Sequence, residues 1–309
     1  MTTDSVIAVL DRSRLQERRI GTPGKLFAYW ALTKPEINFL IAIATAAGFW
    51  MGTDAALPLF PWMPFLQSIL GTALVASGAA TLNQLIELPY DAQMRRTARR
   101  PLVSGRIAPS HALWFGVLLS VCGVAYLAIS TNALASLLAA LTLVSYLFLY
   151  TPLKRITPLC TLVGAIPGAA PPLIGWAAAR GRLDAPAWVL FAVVFLWQFP
   201  HFMSIAWMYR EDYARAGYLV LPSAGNRNRF VMWQTVAPAA VLLGVGLVPT
   251  MSRLSGFALV GVALALGGIF LVYSARFAIN RTNAAARQLL MVSILYLPAM
   301  FALLMLDKK

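Results

Sequence analysis

The chain has 309 residues, 60% of them hydrophobic and only 12% charged, with a mean hydropathy of +0.72. Soluble domains carry about 25% charged residues, so this composition excludes a soluble globular fold and implies an all-α, multi-pass membrane protein. The net charge of +14 does not point to nucleic acid, because the cations fall in short loops between apolar runs, where they set orientation.

Residues 1–25 mix Asp4, Asp11 and Glu17 with arginines and lack the apolar core and cleavage site of a signal peptide. They are predicted to form a cytoplasmic arm, and the acids argue against a mitochondrial presequence. A single transmembrane domain is expected over 26–309. Its apolar windows are 27–51, 62–84, 111–130, 132–151, 157–179, 186–209, 231–250, 254–277 and 287–306, nine spans, each close to the ~20 residues a bilayer requires. Thr131 and Asn132 are the expected turn of a tight hairpin. Prolines 158, 167, 171 and 172 with Gly164, Gly168 and Gly175 predict a bent fifth helix closely approached by its neighbours. Pro200 and Pro238 predict kinks in two others. Cys122 and Cys160 lie in apolar runs and are expected to pack rather than form a disulfide.

The polar segment Asn83–Ile107 stands out between two apolar runs. Asn83, Glu87 and Asp91 sit four apart, so on a helix their oxygens stack along one face, with Pro89 interrupting the ladder. Arg95, Arg96, Arg99, Arg100 and Arg106 follow. Carboxylate and amide oxygens beside guanidinium groups suit a Mg²⁺-bound diphosphate: the hard cation takes the oxygens and the arginines take the remaining phosphate charge. A solvated, topology-setting loop explains the arginines taken alone, but not the ladder beside them.

A second acidic segment follows the sixth window, with Glu211 and Asp212 in Tyr209–Tyr218. Two acid-bearing loops at equivalent places suggest an internal duplication facing two sites across one central cavity, open to the cytoplasmic side. Positions 201, 205, 208 and 212 share a helix face, which puts His201 and Asp212 about 16 Å apart at ~1.5 Å per residue. His201 is either a packing residue or functional, as ionisable groups inside spans often are. Lys154 and Arg155 add donors at the same surface. Lys34 and Glu36 either pair with each other or line the cavity mouth. Tryptophans and tyrosines near span ends fit an interfacial belt. Twenty of the 25 lysines and arginines fall on one side, which predicts a cytoplasmic amino terminus and, with nine spans, an external carboxyl terminus.

The ladder followed by Arg-Arg-Thr-Ala-Arg-Arg-Pro-Leu-Val-Ser-Gly resembles the first motif of the UbiA-type intramembrane prenyltransferases. Leu-Thr-Lys-Pro at 32–35, Tyr-Thr-Pro-Leu-Lys-Arg at 150–155, the Gly-Ala-Ile-Pro run from 164 to 176 and Tyr-Arg-Glu-Asp-Tyr from 209 support the likeness. More narrowly, Arg-Pro-Leu-Val-Ser-Gly and Trp-Gln-Phe-Pro-His-Phe at 197–202 are similar to those of the protohaem IX farnesyltransferases (haem O synthases) within that superfamily. The resemblance implies transfer of farnesyl from farnesyl diphosphate to a vinyl group of haem B, with addition of water, in a bacterial inner membrane. It implies Mg²⁺ held by Asn83, Glu87 and Asp91 in a first site and by Asp212, with Glu211, in a second. Asn83, Glu87, Asp91 and Asp212 are then the catalytic set. Arg95, Arg99, Arg100, Lys154 and Arg155 become diphosphate contacts, and His201 faces the porphyrin as a candidate axial ligand. Haem A synthase or terminal oxidase assembly factors are the implied protein partners, with no nucleic acid. Glu87 stands where the superfamily usually has Asp, Asp212 lacks a second Asp four residues away, and Glu36 replaces a common arginine. The alternatives are a prenyltransferase acting on a quinone or chlorophyll precursor, which needs no His201, and a transporter, which would bury its charges at the bilayer midplane.

Overall fold

The computed structural model describes residues 24–54, 56–222, 224–251 and 257–307. The predicted arm lies outside them apart from its last two residues, as do Arg253, Lys308 and Lys309. Every regular element among the described residues is helical: α1 (Lys25–Leu32), α2 (Pro35–Gly52), α3 (Trp62–Ile86), α4 (Leu88–Asp91), α5 (Pro109–Ser130) and α6 (Ala133–Val144). A π-helical turn, Ser145–Tyr150, continues α6 into α7 (Thr151–Leu153). Then come α8 (Cys160–Gly168), α9 (Ala170–Arg180), α10 (Ala185–Met208), α11 (Arg210–Arg215), α12 (Ala224–Met251), α13 (Phe257–Asn280) and α14 (Asn283–Asp307).

Eight helices among the described residues are long and apolar enough to cross a bilayer, one fewer than the nine expected. The difference lies in the first window. Lys34 adopts a left-handed φ of 50° and Pro35 starts a new helix, so the window divides into α1 and α2. With 18 residues, α2 extends about 27 Å, just short of the ~30 Å hydrocarbon core, and carries Glu36 and Asn38 in its opening turns. It nonetheless packs inside the bundle. A Cβ on Gly48 would run into the backbone of Pro172, and one on Gly175 into the carbonyl of Thr45, so α2 and α9 approach backbone to backbone.

The other boundaries follow local chemistry. Asn132 caps α6 by accepting from the Ala135 amide at 2.9 Å and donates to the Ala177 carbonyl at 2.7 Å, which fixes the predicted hairpin onto α9. The fifth window is broken, as expected, with α8 and α9 meeting at Ala169. Pro200 and Pro238 do not interrupt their helices; α10 and α12 run continuously past both. Cys160 is buried, but Cys122 is exposed on the outer surface rather than packed. A large apolar cluster links α10 with α12, α13 and α14 through Phe270, Phe277, Leu289 and Phe301. Between α10 and α14 on one side and α2, α3, α6, α8 and α9 on the other lies a cavity of about 450 Å³.

Candidate active site

Helix α3 ends at Ile86, and Glu87 turns the chain into the short α4, where Pro89 occupies a first-turn position that needs no amide donor. The ladder therefore survives the proline. Asn83, Glu87 and Asp91 are 1%, 5% and 1% exposed, three buried oxygen donors in a membrane protein's polar corner. Asn83 and Glu87 are held by partners from distant segments, and Asp91 by Arg100 of its own loop. Lys34 Nζ donates to Asn83 Oδ1 at 3.2 Å, and Asn83 Nδ2 donates to Thr151 Oγ1 at 3.1 Å. Lys154 Nζ pairs with Glu87 Oε1 at 2.6 Å, and Arg100 pairs with Asp91. Asp91 Oδ1 is buried with no hydrogen-bond partner among the described residues.

The π turn is what brings Thr151 to Asn83. Its extra residue per turn resets the helix register, and Thr151 Oγ1 itself donates back to the Tyr146 carbonyl at 2.8 Å. Tyr146 and Tyr150 thereby face the cavity, as does Lys34. Lys154 lies 4.6 Å above the Tyr150 ring. Burial opposes the Lys154 charge, yet Tyr150 and Glu87 hold its ammonium above the ordinary lysine range. Burial alone would raise Glu87, but Lys154 and Lys34 hold its carboxyl below the ordinary range, so the pair is charged at neutral pH. Burial keeps the Asp91 carboxyl above its ordinary range even with Arg100 against it. Burial and the neighbouring Glu87 push the Tyr218 hydroxyl up, which makes it a neutral donor.

The second acidic segment joins the first directly. Asp212 Oδ2 accepts from the Arg96 amide at 3.1 Å, while the other oxygen pairs with Arg215. Met94, Ala216 and Tyr218 pack together with Tyr90 and Tyr213, and the Leu219 amide donates to the Lys154 carbonyl at 2.7 Å. Residues 83–107, 150–155 and 209–219 thus form one surface. Two expectations change here. Helix α10 stops at Met208 and Tyr209 breaks the register before α11, so His201 and Asp212 do not share one helix face. Glu211 does not join Asp212; its side chain is 84% exposed, with Arg210 at 4.0 Å. Arg95 and Arg99 are also exposed. Arg155 lies 4.4 Å over the Tyr90 ring and donates to its hydroxyl at 2.7 Å. Lys34 binds Asn83 rather than Glu36.

His201 sits elsewhere in the same cavity, lining it with Trp197, Gln198 and Phe202. Its Nδ1 lies 2.8 Å from Ser293 Oγ, and its ring stacks on Trp197 with centroids 4.6 Å apart. The cavity therefore carries Lys34 and two tyrosines beside the acidic cluster, an apolar body lined by Ile41, Ala44, Val75 and Val194, and an imidazole in its wall. Thr151, Tyr146, Tyr150, Tyr218 and Ser293 were not singled out by sequence as site residues. For Thr151, Tyr146, Tyr150 and Tyr218 the one available signal was their position in or beside the quoted motifs; Ser293 lies outside all of them. Among the described residues no three His, Cys, Asp or Glu side chains are already gathered as a metal cage. The donor chemistry fits a hard divalent cation all the same: two carboxylates and an amide, buried, with one carboxylate oxygen unpartnered.

Comparison with known proteins agrees with this fold. A structure concerned with digeranylgeranylglyceryl phosphate synthase in membranes superposes with a TM-score of 0.73 at 15% identity, covering 93% of this chain and 99% of that one. A UbiA homolog from Archaeoglobus fulgidus bound to GPP and Mg²⁺ gives a TM-score of 0.65 at 17% identity, over 90% and 99%. A protein named protoheme IX farnesyltransferase from Solibacter usitatus is 48% identical over 289 residues, 91% of this chain and 98% of the relative. One of the same name from Salinibacter ruber is 43% identical, over 91% and 99%. Residues 40–302 match the UbiA prenyltransferase family, and the chain belongs to that family.

Proposed function

We propose that this membrane protein makes haem O, transferring the farnesyl group of farnesyl diphosphate to a vinyl group of haem B with addition of water. Residues 26–309 act as one prenyltransferase domain. What carries the reading is a single cavity with a buried acid–cation cluster beside it and an imidazole in its wall. The first suits a diphosphate, the second an iron porphyrin, and the apolar body suits a prenyl chain. His201 favours haem over a quinone or chlorophyll precursor as acceptor.

Asn83, Glu87, Asp91 and Asp212 would hold Mg²⁺, which when bound neutralises the diphosphate and makes it a better leaving group. Lys154 and Arg100 exchange their carboxylate partners for phosphate oxygens, and Lys34 stands at the same end of the cavity. As the farnesyl C1–O bond breaks, its electron pair leaves on the diphosphate. The vinyl π pair then forms the new C–C bond, and the cation left on the porphyrin side takes a water that loses one proton. Tyr146 and Tyr150 present aromatic faces where the allylic cation forms, and the apolar wall keeps water from intercepting it first. With α2 counted as a ninth crossing, the 20-to-5 division of cations supports a cytoplasmic amino terminus and an external carboxyl terminus, and the bacterial relatives support an inner-membrane location. Haem A synthase or oxidase assembly factors are the natural recipients of the product.

The test is a nanodisc assay with haem B, farnesyl diphosphate and Mg²⁺, read by mass spectrometry. A haem product heavier by one farnesyl and one hydroxyl, requiring Mg²⁺, is expected. Prenylation of an aromatic acceptor with haem untouched would replace haem as the substrate, and no prenyl transfer at all would contradict the reading.

A further inference from the structure

His201 is held by more of the fold than a packing histidine requires. Ser293 on α14 is fully buried, and its single hydroxyl hydrogen goes to the Leu290 carbonyl at 2.6 Å. At the 2.8 Å contact between His201 Nδ1 and Ser293 Oγ the serine oxygen can therefore only accept, so the ring nitrogen is the donor. The imidazole proton sits on Nδ1 and the lone pair on Nε2. The same serine acts a second time through its backbone: Trp197 Nε1 donates to the Ser293 carbonyl at 2.8 Å. Trp197 then stacks on the His201 ring at 4.6 Å with 23° between the planes. One residue of α14 thus sets both the tautomer of the imidazole and, through the indole, the plane in which it lies. Trp197 and His201 both line the cavity, as does Leu297 one turn beyond Ser293.

We infer that Ser293 is a positioning residue that presets His201 Nε2 as the ligand for the iron of the porphyrin substrate, with Trp197 fixing the ring plane. This rests on the reading that haem B occupies this cavity. A hydrogen bond from the far nitrogen raises ligand basicity and fixes ring orientation, and loss of such a partner typically costs about 10- to 100-fold in metal affinity. A ligand preset in this way also fixes where the porphyrin iron stands relative to the acidic cluster.

The experiment binds haem B to the full chain in nanodiscs and records the Soret band and, for the ferrous form, the iron–histidine stretch by resonance Raman. Wild-type protein is expected to show an iron–imidazole signature that His201→Ala abolishes. Ser293→Ala should still bind haem, about tenfold or more weakly, with the stretch moved to lower frequency, and Ser293→Thr should restore it. Ser293→Cys keeps the shape with a weaker acceptor and should shift the stretch the same way; it carries the test if the alanine variant does not accumulate. A Ser293→Ala or Ser293→Cys spectrum identical to wild type would overturn the role of Ser293 while leaving His201 as ligand. An unchanged spectrum in His201→Ala would remove both this inference and the haem placement beneath it.

Discussion

The two acid-bearing loops look alike in sequence and differ in the fold. After α3, Asn83, Glu87 and Asp91 are all buried and each meets a cation: Lys34, Lys154 and Arg100. After α10, only Asp212 turns inward, with one oxygen on the Arg96 backbone amide of the other loop and the other paired with Arg215, three residues along its own segment. Glu211 faces solvent. Under the proposed function the first loop carries most of the diphosphate site, and the second packs against it and brings one more carboxylate.

That asymmetry orders the expected losses. Asp91→Asn removes the buried carboxylate with the unpartnered oxygen and should lower kcat/KM by about 10³-fold, comparable to loss of a central charge-stabilising group. Lys154→Met removes a phosphate donor and leaves Glu87 buried without its cation. Turnover should fall about 10²-fold, and a thermal melt should show destabilisation of about 3 kcal/mol, the scale for breaking a buried pair from one side. Asp212→Asn keeps an acceptor for the Arg96 amide but loses the charge, so kcat/KM should drop roughly tenfold to a hundredfold, with the effect concentrated in the Mg²⁺ concentration needed for half-maximal rate. If Asp212→Asn matched Asp91→Asn, the two loops would be equal partners after all. Thr151→Val should cost less, about 1 kcal/mol in transition-state stabilisation, through loss of one neutral hydrogen bond that orients Asn83. Glu211→Gln should leave kcat/KM within about twofold of wild type, as expected for an exposed side chain with a weak surface pair.

The same comparison shows what a sequence can carry. The ladder at 83, 87 and 91 was legible because helical spacing is local, and the spans were legible because bilayer thickness demands long apolar runs. Three features were not. The division at Lys34 depends on a left-handed lysine whose side chain finds its hydrogen-bond partner in Asn83, 49 residues away. The π turn that delivers Thr151 has no periodicity signal. The break at Tyr209, which moves Asp212 off the His201 face, leaves room for contacts with Arg96 that only the fold creates. Tyr146 and Tyr150 read as interfacial aromatics because their position near a span end is the same whether they face lipid or a cavity. Glu211 and Asp212 are adjacent, and it is the contact with the Arg96 amide of the other loop that marks Asp212 as the one turned inward.

The central claim is that one cavity holds two substrates by separate chemistries, diphosphate at the acidic cluster and haem at His201. The most direct measurement titrates a non-hydrolysable farnesyl diphosphate analogue with Mg²⁺, and haem B separately, into wild type, Asp91→Asn and His201→Ala. Asp91→Asn should lose the analogue and keep the haem spectrum, and His201→Ala should lose the iron–imidazole signature and keep the analogue. If either substitution abolished both ligands in a folded protein, or neither affected its own ligand, the account would be contradicted.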